Sequence, residues 1–103
     1  MAKSKYDGVV EAVRYGKDGR IAWARTYLRR GPAWSDYILL DRQTLIEHIK
    51  AGRRIMAGRR IPQLAGTFEV SAPLRVIQSN EEDVLVAGDI QADRDRLDGV
   101  PVL

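Results

Sequence analysis

The feature that most constrains the fold of this chain is a turn signal between two long β-prone segments. Gly16-Lys17-Asp18-Gly19 separates residues 6–15 from residues 20–30, and both segments are rich in β-branched and aromatic side chains. This arrangement predicts a β-hairpin. The sequence Lys-Asp-Gly favours a three-residue loop in which Gly19 takes the left-handed conformation and a bulge follows.

That loop also predicts the register of the two strands. It pairs Tyr15 with Ile21, Val13 with Trp23, Glu11 with Arg25 and Val9 with Tyr27. One face then carries apolar and aromatic pairs and one pair of opposite charge, which are favourable cross-strand combinations. Because the other face is also largely apolar, we expect the hairpin to lie in a barrel or beneath another element.

The best-delimited element is a short helix near residues 42–51. Asp41 is a suitable N-cap, and Leu45, Ile46 and Ile49 recur at helical spacing. Gly52 follows where a left-handed residue commonly ends a helix. The pattern predicts one amphipathic helix with its apolar stripe against the core.

Several short apolar segments complete the chain. Strands are predicted over residues 37–40, 67–70, 74–78 and 84–87, the first of them buried, whereas residues 53–62 suit one strand, two short strands or a loop. The last two predicted strands, joined by the polar loop 79–83, are expected to form a second hairpin. With 103 residues, we expect one domain of mainly β (α+β) class, formed by residues 1–90 as a small antiparallel barrel or bent sheet of about five to seven strands. The polar segment 91–103 is predicted to be frayed or loosely docked.

The sequence gives no support for catalysis. It contains no cysteine and one histidine, His48, and none of the common phosphate-binding, hydrolase or metalloprotease motifs. His48 is interpreted as a surface residue, and Glu81-Glu82-Asp83 as a solvated turn. We therefore expect no enzyme activity, no metal and no cofactor.

Hydropathy and the N-terminus suggest where the protein resides. No run of eighteen apolar residues occurs, so no membrane span or membrane partner is predicted. The N-terminal residues 1–8 lack the apolar stretch of a signal peptide. A cytoplasmic location is the resulting expectation.

The charges are distributed unevenly along the chain. Residues 1–78 carry a net charge of +8, and residues 79–103 carry −5. Such asymmetry suggests a nucleic acid or another polyanion as a partner of the basic part. The candidate binding residues are basic side chains and one aromatic ring, namely Lys50, Arg53, Arg54, Arg59, Arg60, Arg29, Arg30 and Trp34.

Other interpretations of these residues stay open. Trp23 and Tyr27 are equally suited to the core, Arg25 can pair with Glu11, and adjacent arginines on a strand point to opposite faces. The leading hypothesis is therefore a non-enzymatic binding domain for protein–protein interaction or self-assembly as a homo-oligomer. The alternative is single-stranded nucleic-acid binding through the Arg-rich segment 50–60.

Overall fold

The computed structural model describes residues 6–63 and 67–103, and it is mainly β with one short helix. The predicted absence of a signal peptide depends partly on residues 1–5, which lie outside the described residues. The elements are β1 Gly8–Tyr15, β2 Ile21–Arg30, β3 Ala33–Trp34, β4 Ile38–Asp41, α1 Arg42–Lys50, β5 Ile55–Arg60, β6 Phe68–Ser79 and β7 Glu82–Ala87. The predicted fold class is confirmed.

The seven strands form one curled sheet, a half-barrel. Six of them follow the order β3-β2-β1-β5-β6-β7, and the seventh, β4, lies off this path. β4 also pairs with β2, along Trp23–Thr26. Most neighbours are antiparallel, but β1 and β5 pair in parallel over Gly8–Val10 and Ile55–Ala57. The prediction of an all-antiparallel sheet misses this pair, because the chain makes a crossover through β2, β4 and α1 before it returns beside β1.

The first hairpin forms as predicted at its ends. Gly19 has φ +81°, and Tyr15 pairs with Ile21 and Val9 with Tyr27. The predicted pairs between these ends, Val13 with Trp23 and Glu11 with Arg25, are wrong. Bulges shift the register so that Ala12 lies opposite Arg25 and Arg14 opposite Trp23. A bulge places two residues of one strand opposite one residue of the other. The sequence predicts a bulge beside Gly19, but no local signal indicates the two register shifts between Val10 and Ala12 and between Arg14 and Tyr15.

The helix has both of its predicted ends. The Asp41 side chain accepts a hydrogen bond from the backbone N–H of Thr44 at 2.8 Å. At the other end, Gly52 has φ +90°, and the N–H groups of Gly52 and Arg53 bond to the carbonyls of Ile49 and His48. This pair of bonds is the Schellman arrangement, which satisfies carbonyls that the helix itself leaves unpaired.

The predicted strands at 67–70 and 74–78 are one continuous strand, β6, which passes through Pro73. The predicted second hairpin is confirmed, but its loop is only two residues long. Asn80 and Glu81 have φ values of +51° and +65°, and Ser79 pairs with Glu82. Two consecutive left-handed residues are the conformation of a type I′ turn.

The core divides into two clusters. The larger one joins Leu45 and Ile46 of α1 to strand residues that include Val10, Ile55 and Leu85. The smaller one, which we call the aromatic cluster, is mostly aromatic. It consists of Val9, Tyr27 and Phe68, and Tyr6, Trp34 and Val70 pack against it. The hairpin thus contributes to both clusters, which explains why both of its faces are apolar.

The prediction of a loosely docked segment 91–103 is wrong. Asp95, Leu97 and Val100 are buried. The Arg96 N–H donates to the Leu85 carbonyl of β7 at 2.8 Å, and the Pro101 carbonyl accepts from the Val13 N–H of β1 at 2.9 Å. β5 stops pairing with β1 after Val10, so this segment satisfies the part of the β1 edge that β5 leaves open, and it belongs to the same domain.

Candidate binding surfaces

The fold divides the predicted basic residues among three places. Lys50, at the end of α1, bonds to Asp83 of β7 at 2.6 Å. Arg59 and Arg60 lie at the end of β5, beside the aromatic cluster. Four arginines come together near the start of β5, namely Arg29, Arg30, Arg53 and Arg54. The eight candidate residues therefore do not form one surface.

Near the aromatic cluster, the arginines interact with neighbours in the fold. The Arg60 guanidinium stacks 4.3 Å from the centre of the Tyr27 ring and donates to the Ser35 carbonyl at 3.1 Å. It also lies 3.8 Å from Asp36. Arg59 pairs with Glu69 at 3.3 Å. Arg60 is thereby held by cation–π and hydrogen-bond contacts, and its charge is partly compensated.

The aromatic side chains in this region serve mainly as core. Tyr27 is 6% exposed, and its hydroxyl lies 3.1 Å from Glu11. Burial, with the nearby Glu11 carboxylate, raises the pKa of Tyr27 above its ordinary value. Trp34 is half-buried, with its ring centre 4.6 Å from that of Phe68 and 5.7 Å from that of Tyr6. These contacts favour the core interpretation over a platform for stacking bases.

Four of the predicted arginines meet at or beside an open cleft of about 510 Å³ between the end of β2, β4 and the C-terminal end of α1. We call it the basic cleft. Its rim carries Asp7, Arg29, Arg30, His48 and Arg53. Arg54 adjoins it, because its backbone N–H donates to Asp7 at 2.9 Å. The structure thus joins two basic groups that lie more than twenty residues apart in sequence.

Asp7 organises this rim, and sequence reasoning did not identify it. It accepts the Arg54 N–H and, at 3.0 Å, a hydrogen bond from the Arg29 guanidinium. The Arg54 bond is the main cause that lowers the pKa of Asp7 below its ordinary value, and Arg29 adds to it. No sequence signal points to Asp7, because its partners lie 22 and 47 residues further along the chain.

His48 is half-buried at the rim and its Nδ1 is in contact with Arg53 Nη1. An arginine offers only donors, so His48 Nδ1 accepts and the proton of the neutral ring resides on Nε2. Burial, followed by the charge of Arg53, lowers the pKa of His48 below its ordinary value. The predicted surface histidine is therefore a partly buried member of the cleft.

Most basic side chains are paired. Of the fifteen Lys and Arg residues within 6–63 and 67–103, nine lie within 4.0 Å of a carboxylate. The predicted Glu11–Arg25 pair is among them, at 3.7 Å despite the shifted register. Of the six others in this part of the chain, Arg30, Arg53 and Arg54 are at or beside the basic cleft.

A second candidate surface is the outer edge of β4. The segment 37–40 was expected to be a buried strand, but only Leu40 is buried, whereas Tyr37 is 53% exposed and Leu39 56%. Leu39 lies opposite Arg25 of β2, whose guanidinium is 5.0 Å from the Tyr37 ring centre. The Tyr37 ring also packs edge-on against Tyr27 of the aromatic cluster, with 6.4 Å between the ring centres, so only its outer part is exposed. Sequence reasoning missed this surface because an edge strand and a central strand share the same apolar composition.

Neither surface resembles a metal site, and the described residues contain no group of three His, Asp or Glu side chains that could hold a metal ion. In the same part of the chain, no helix has the length and apolar character needed to cross a membrane. Comparison with known proteins gives no relative from which a function could be transferred: no family model, no curated protein and no solved structure matches this chain.

Proposed function

We propose that this chain is a non-enzymatic binding domain that pairs with a second copy of itself through the outer edge of β4. The observation that carries the proposal is the combination of an open strand edge with two exposed apolar side chains, Tyr37 and Leu39. An open edge presents unpaired N–H and C=O groups, so the occupant that it fits best is another strand.

β4 differs in this respect from the other end of the sheet. Along one side it pairs with β2, and no strand among residues 6–63 and 67–103 lies along its other side. The outer edge of β7, in contrast, is partly covered by the C-terminal segment, which bonds to Leu85 and Ala87. β3 is only two residues long. β4 is therefore the edge most suited to pairing.

The edge lacks three of the common protections against association. Proteins often place lysine, proline or a bulge on an exposed edge strand, and β4, with the sequence Ile-Leu-Leu-Asp, contains none of them. Its shortness and the charge of Asp41 limit the strength of pairing, which fits a weak association. An exposed leucine in the middle of such a strand favours contact with another apolar surface.

Like charge disfavours parallel pairing of two copies. Asp36 precedes β4 with a side chain 99% exposed, and a parallel pair in register would bring the two Asp36 residues together. An antiparallel pair centred on Leu39 keeps them at opposite ends of the interface, whereas Arg42 is already paired with Asp95 at 2.8 Å. A twofold pair also needs only one self-complementary patch.

Nucleic-acid binding along the segment 50–60 has less support. Lys50, Arg59 and Arg60 are each within 4.0 Å of a carboxylate. A groove for a long polyanion requires several uncompensated cations in line. The fold compensates these three charges, and of the basic residues in segment 50–60 only the side chains of Arg53 and Arg54 have no carboxylate within 4.0 Å among the described residues.

Analytical ultracentrifugation across about 10 µM to about 1 mM tests the proposal. Because β4 has only four residues, we expect a monomer–dimer equilibrium with a dissociation constant in the upper part of this range. Leu39→Lys places a charge at the centre of the proposed interface and should leave the protein monomeric throughout. If the sedimentation coefficient of the unsubstituted chain stays at the value of the monomer at all concentrations, self-association is refuted.

Val102→Lys is the matched control. Val102 is also an exposed apolar residue, at 64%, but it lies beside Val13 of β1 and not at β4. This variant should dimerise like the unsubstituted chain. If both variants reduce association equally, the interface is not at β4. Circular dichroism verifies that both variants are folded.

A further inference from the structure

The basic cleft has the features of a small-ligand site. It uses the β4 side chains Ile38 and Leu40, whereas the proposed self-association uses Tyr37 and Leu39, which lie on the other face of that segment. Its volume of about 510 Å³ lies within the range of ligand pockets, roughly 300–1,000 Å³. Its floor is apolar and consists of Leu28, Ile38 and Leu40, whereas its rim is polar. A ligand that matches both parts has an apolar portion and a charged group.

The sign of that charged group follows from the rim. Arg30 and Arg53 have no carboxylate within 4.0 Å among the described residues, and residues 1–5 and 64–66 contain no Asp or Glu. Arg29 is paired with Asp7 at 3.0 Å. The three arginines and one aspartate therefore leave the rim with a net positive charge, before the adjacent Arg54 is counted.

The geometry of the rim suits an anion with several oxygens. A guanidinium is a planar fork that can donate two parallel hydrogen bonds to a phosphate. Arg53 already donates from one Nη atom to His48, which fixes the position of its head and leaves other N–H groups for a ligand. Because His48 accepts at Nδ1, its neutral ring also carries one donor, at Nε2.

Asp7 fixes the two backbone segments that carry Arg30 and Arg53. It binds the Arg29 side chain and the Arg54 backbone at once, so it connects the end of β2 to the loop that follows α1. Because these two segments are held together before a ligand binds, only the side chains have to be ordered, which reduces the entropic cost of binding.

We propose that the basic cleft binds an organic phosphate, with the phosphate group at Arg30 and Arg53 and an apolar or flat portion on the floor of Leu28, Ile38 and Leu40. A nucleotide has this chemistry, whether it is a free mononucleotide or the terminal nucleotide of a single strand. This proposal is independent of self-association at β4, since the two surfaces share no exposed side chain that either proposal requires.

The experiment is a titration of the ¹⁵N-labelled full chain, followed by heteronuclear NMR, with four probes. These are inorganic phosphate, adenosine, adenosine 5′-monophosphate and a short single-stranded oligonucleotide with a 5′-phosphate. We expect saturable shifts near Arg53 and His48 with the monophosphate, weaker binding of inorganic phosphate, and no binding of adenosine. Tighter binding of the oligonucleotide than of the monophosphate would assign the phosphate to a nucleic-acid strand, and the reverse order to a free nucleotide.

Substitutions locate the binding site. Arg30→Gln and Arg53→Gln should each raise the dissociation constant about tenfold or more, as expected for loss of a charge-assisted hydrogen bond. Arg14→Gln is the matched control, because Arg14 is an exposed arginine of β1, remote from the cleft lining and without a carboxylate partner in the described part of the chain. It should bind like the unsubstituted chain.

Three results would overturn the proposal. The first is the absence of saturable shifts with any phosphate-bearing probe. The second is equal binding of adenosine and its monophosphate, because the phosphate would then contribute nothing. The third is an equal loss of affinity in Arg14→Gln and Arg53→Gln, which would indicate general attraction to a basic protein. Unchanged spectra away from the substituted residue verify that each variant is folded.

Discussion

Arg42, the first residue of α1, donates its Nε–H to Oδ2 of Asp95 at 2.8 Å. The same carboxylate accepts the backbone N–H groups of Ile21 at 2.8 Å and of Leu85 at 3.0 Å, and its side chain is only 1% exposed. Asp95 therefore connects the helix, the start of β2 and strand β7 to the C-terminal segment. A carboxylate this deeply buried is tolerated only when it is paired and hydrogen-bonded.

Asp95→Asn should lower the free energy of unfolding by about 3–5 kcal/mol, the range for breaking a buried ion pair. The amide has no charge to compensate Arg42, and its NH₂ group cannot accept the N–H donors that meet the second oxygen. Urea denaturation at neutral pH measures the change. The control is Asp98→Asn, because the Asp98 side chain is 52% exposed beside Arg96. Loss of this exposed ion pair should lower the free energy of unfolding by no more than about 1 kcal/mol. Equal small effects would contradict the structural role of Asp95.

Stability should also fall in acid through Asp95. Burial by itself raises the pKa of Asp95, but the hydrogen bonds from Arg42, Ile21 and Leu85 outweigh it and hold the pKa below the ordinary value of 3.8. The unfolded chain thus binds a proton at a higher pH than the folded chain does. The contribution of Asp95 is fully present above its unfolded pKa and is lost as pH falls towards and through its folded pKa.

Asp7, Asp41 and Asp83 also have lowered pKa values, so the acid transition of the unsubstituted chain is a sum of several groups. The difference between the unsubstituted chain and Asp95→Asn isolates one of them. Urea midpoints measured from about pH 7 down to about pH 3 should show this difference shrinking as the pH falls. A difference that stays constant over this range would contradict the assignment.

The sequence predicted those parts of the fold that depend on neighbouring residues. Gly19 in the first turn, Asp41 at the start of α1 and Gly52 at its end each act within a few residues of their own position. The backbone conformation that each of them adopts is therefore encoded locally. The second hairpin was predictable for the same reason, although its turn is shorter than expected.

Contacts between distant residues were not predictable in this way. Asp95 lies in a polar segment whose composition is typical of a loop, and its partner Arg42 is 53 residues away in the sequence. The parallel pairing of β1 with β5 is equally non-local. Leu97 and the apolar ending 100–103 are the local signs that segment 91–103 has an apolar side. The basic cleft, likewise, is formed by Arg30 and Arg53, which no spacing rule connects.

The docked C-terminal segment leads to a prediction at Val100, which is 6% exposed and part of the larger core cluster. Val100→Ala removes two buried methyl groups and leaves a cavity, so it should lower the free energy of unfolding by about 1.5–3 kcal/mol. Val102→Ala is the control, because Val102 is 64% exposed, and its effect should stay within about 0.5 kcal/mol. A Val100→Ala change as small as that of Val102→Ala would mean that the segment contributes little to the core.

The turn between β6 and β7 offers a stabilising substitution. Glu81 has φ +65°, a left-handed conformation that costs a residue with a Cβ atom about 1–2 kcal/mol and costs glycine almost nothing. Glycine loses more backbone entropy on folding, so the net gain for Glu81→Gly should be about 0.5–1 kcal/mol, seen as a higher urea midpoint. Glu81 is exposed next to Glu82, and removal of its charge could by itself stabilise the hairpin. Glu81→Gln separates the two effects, since it removes the charge and keeps the Cβ atom. If Glu81→Gln raises the midpoint as much as Glu81→Gly does, the gain comes from charge and not from backbone strain.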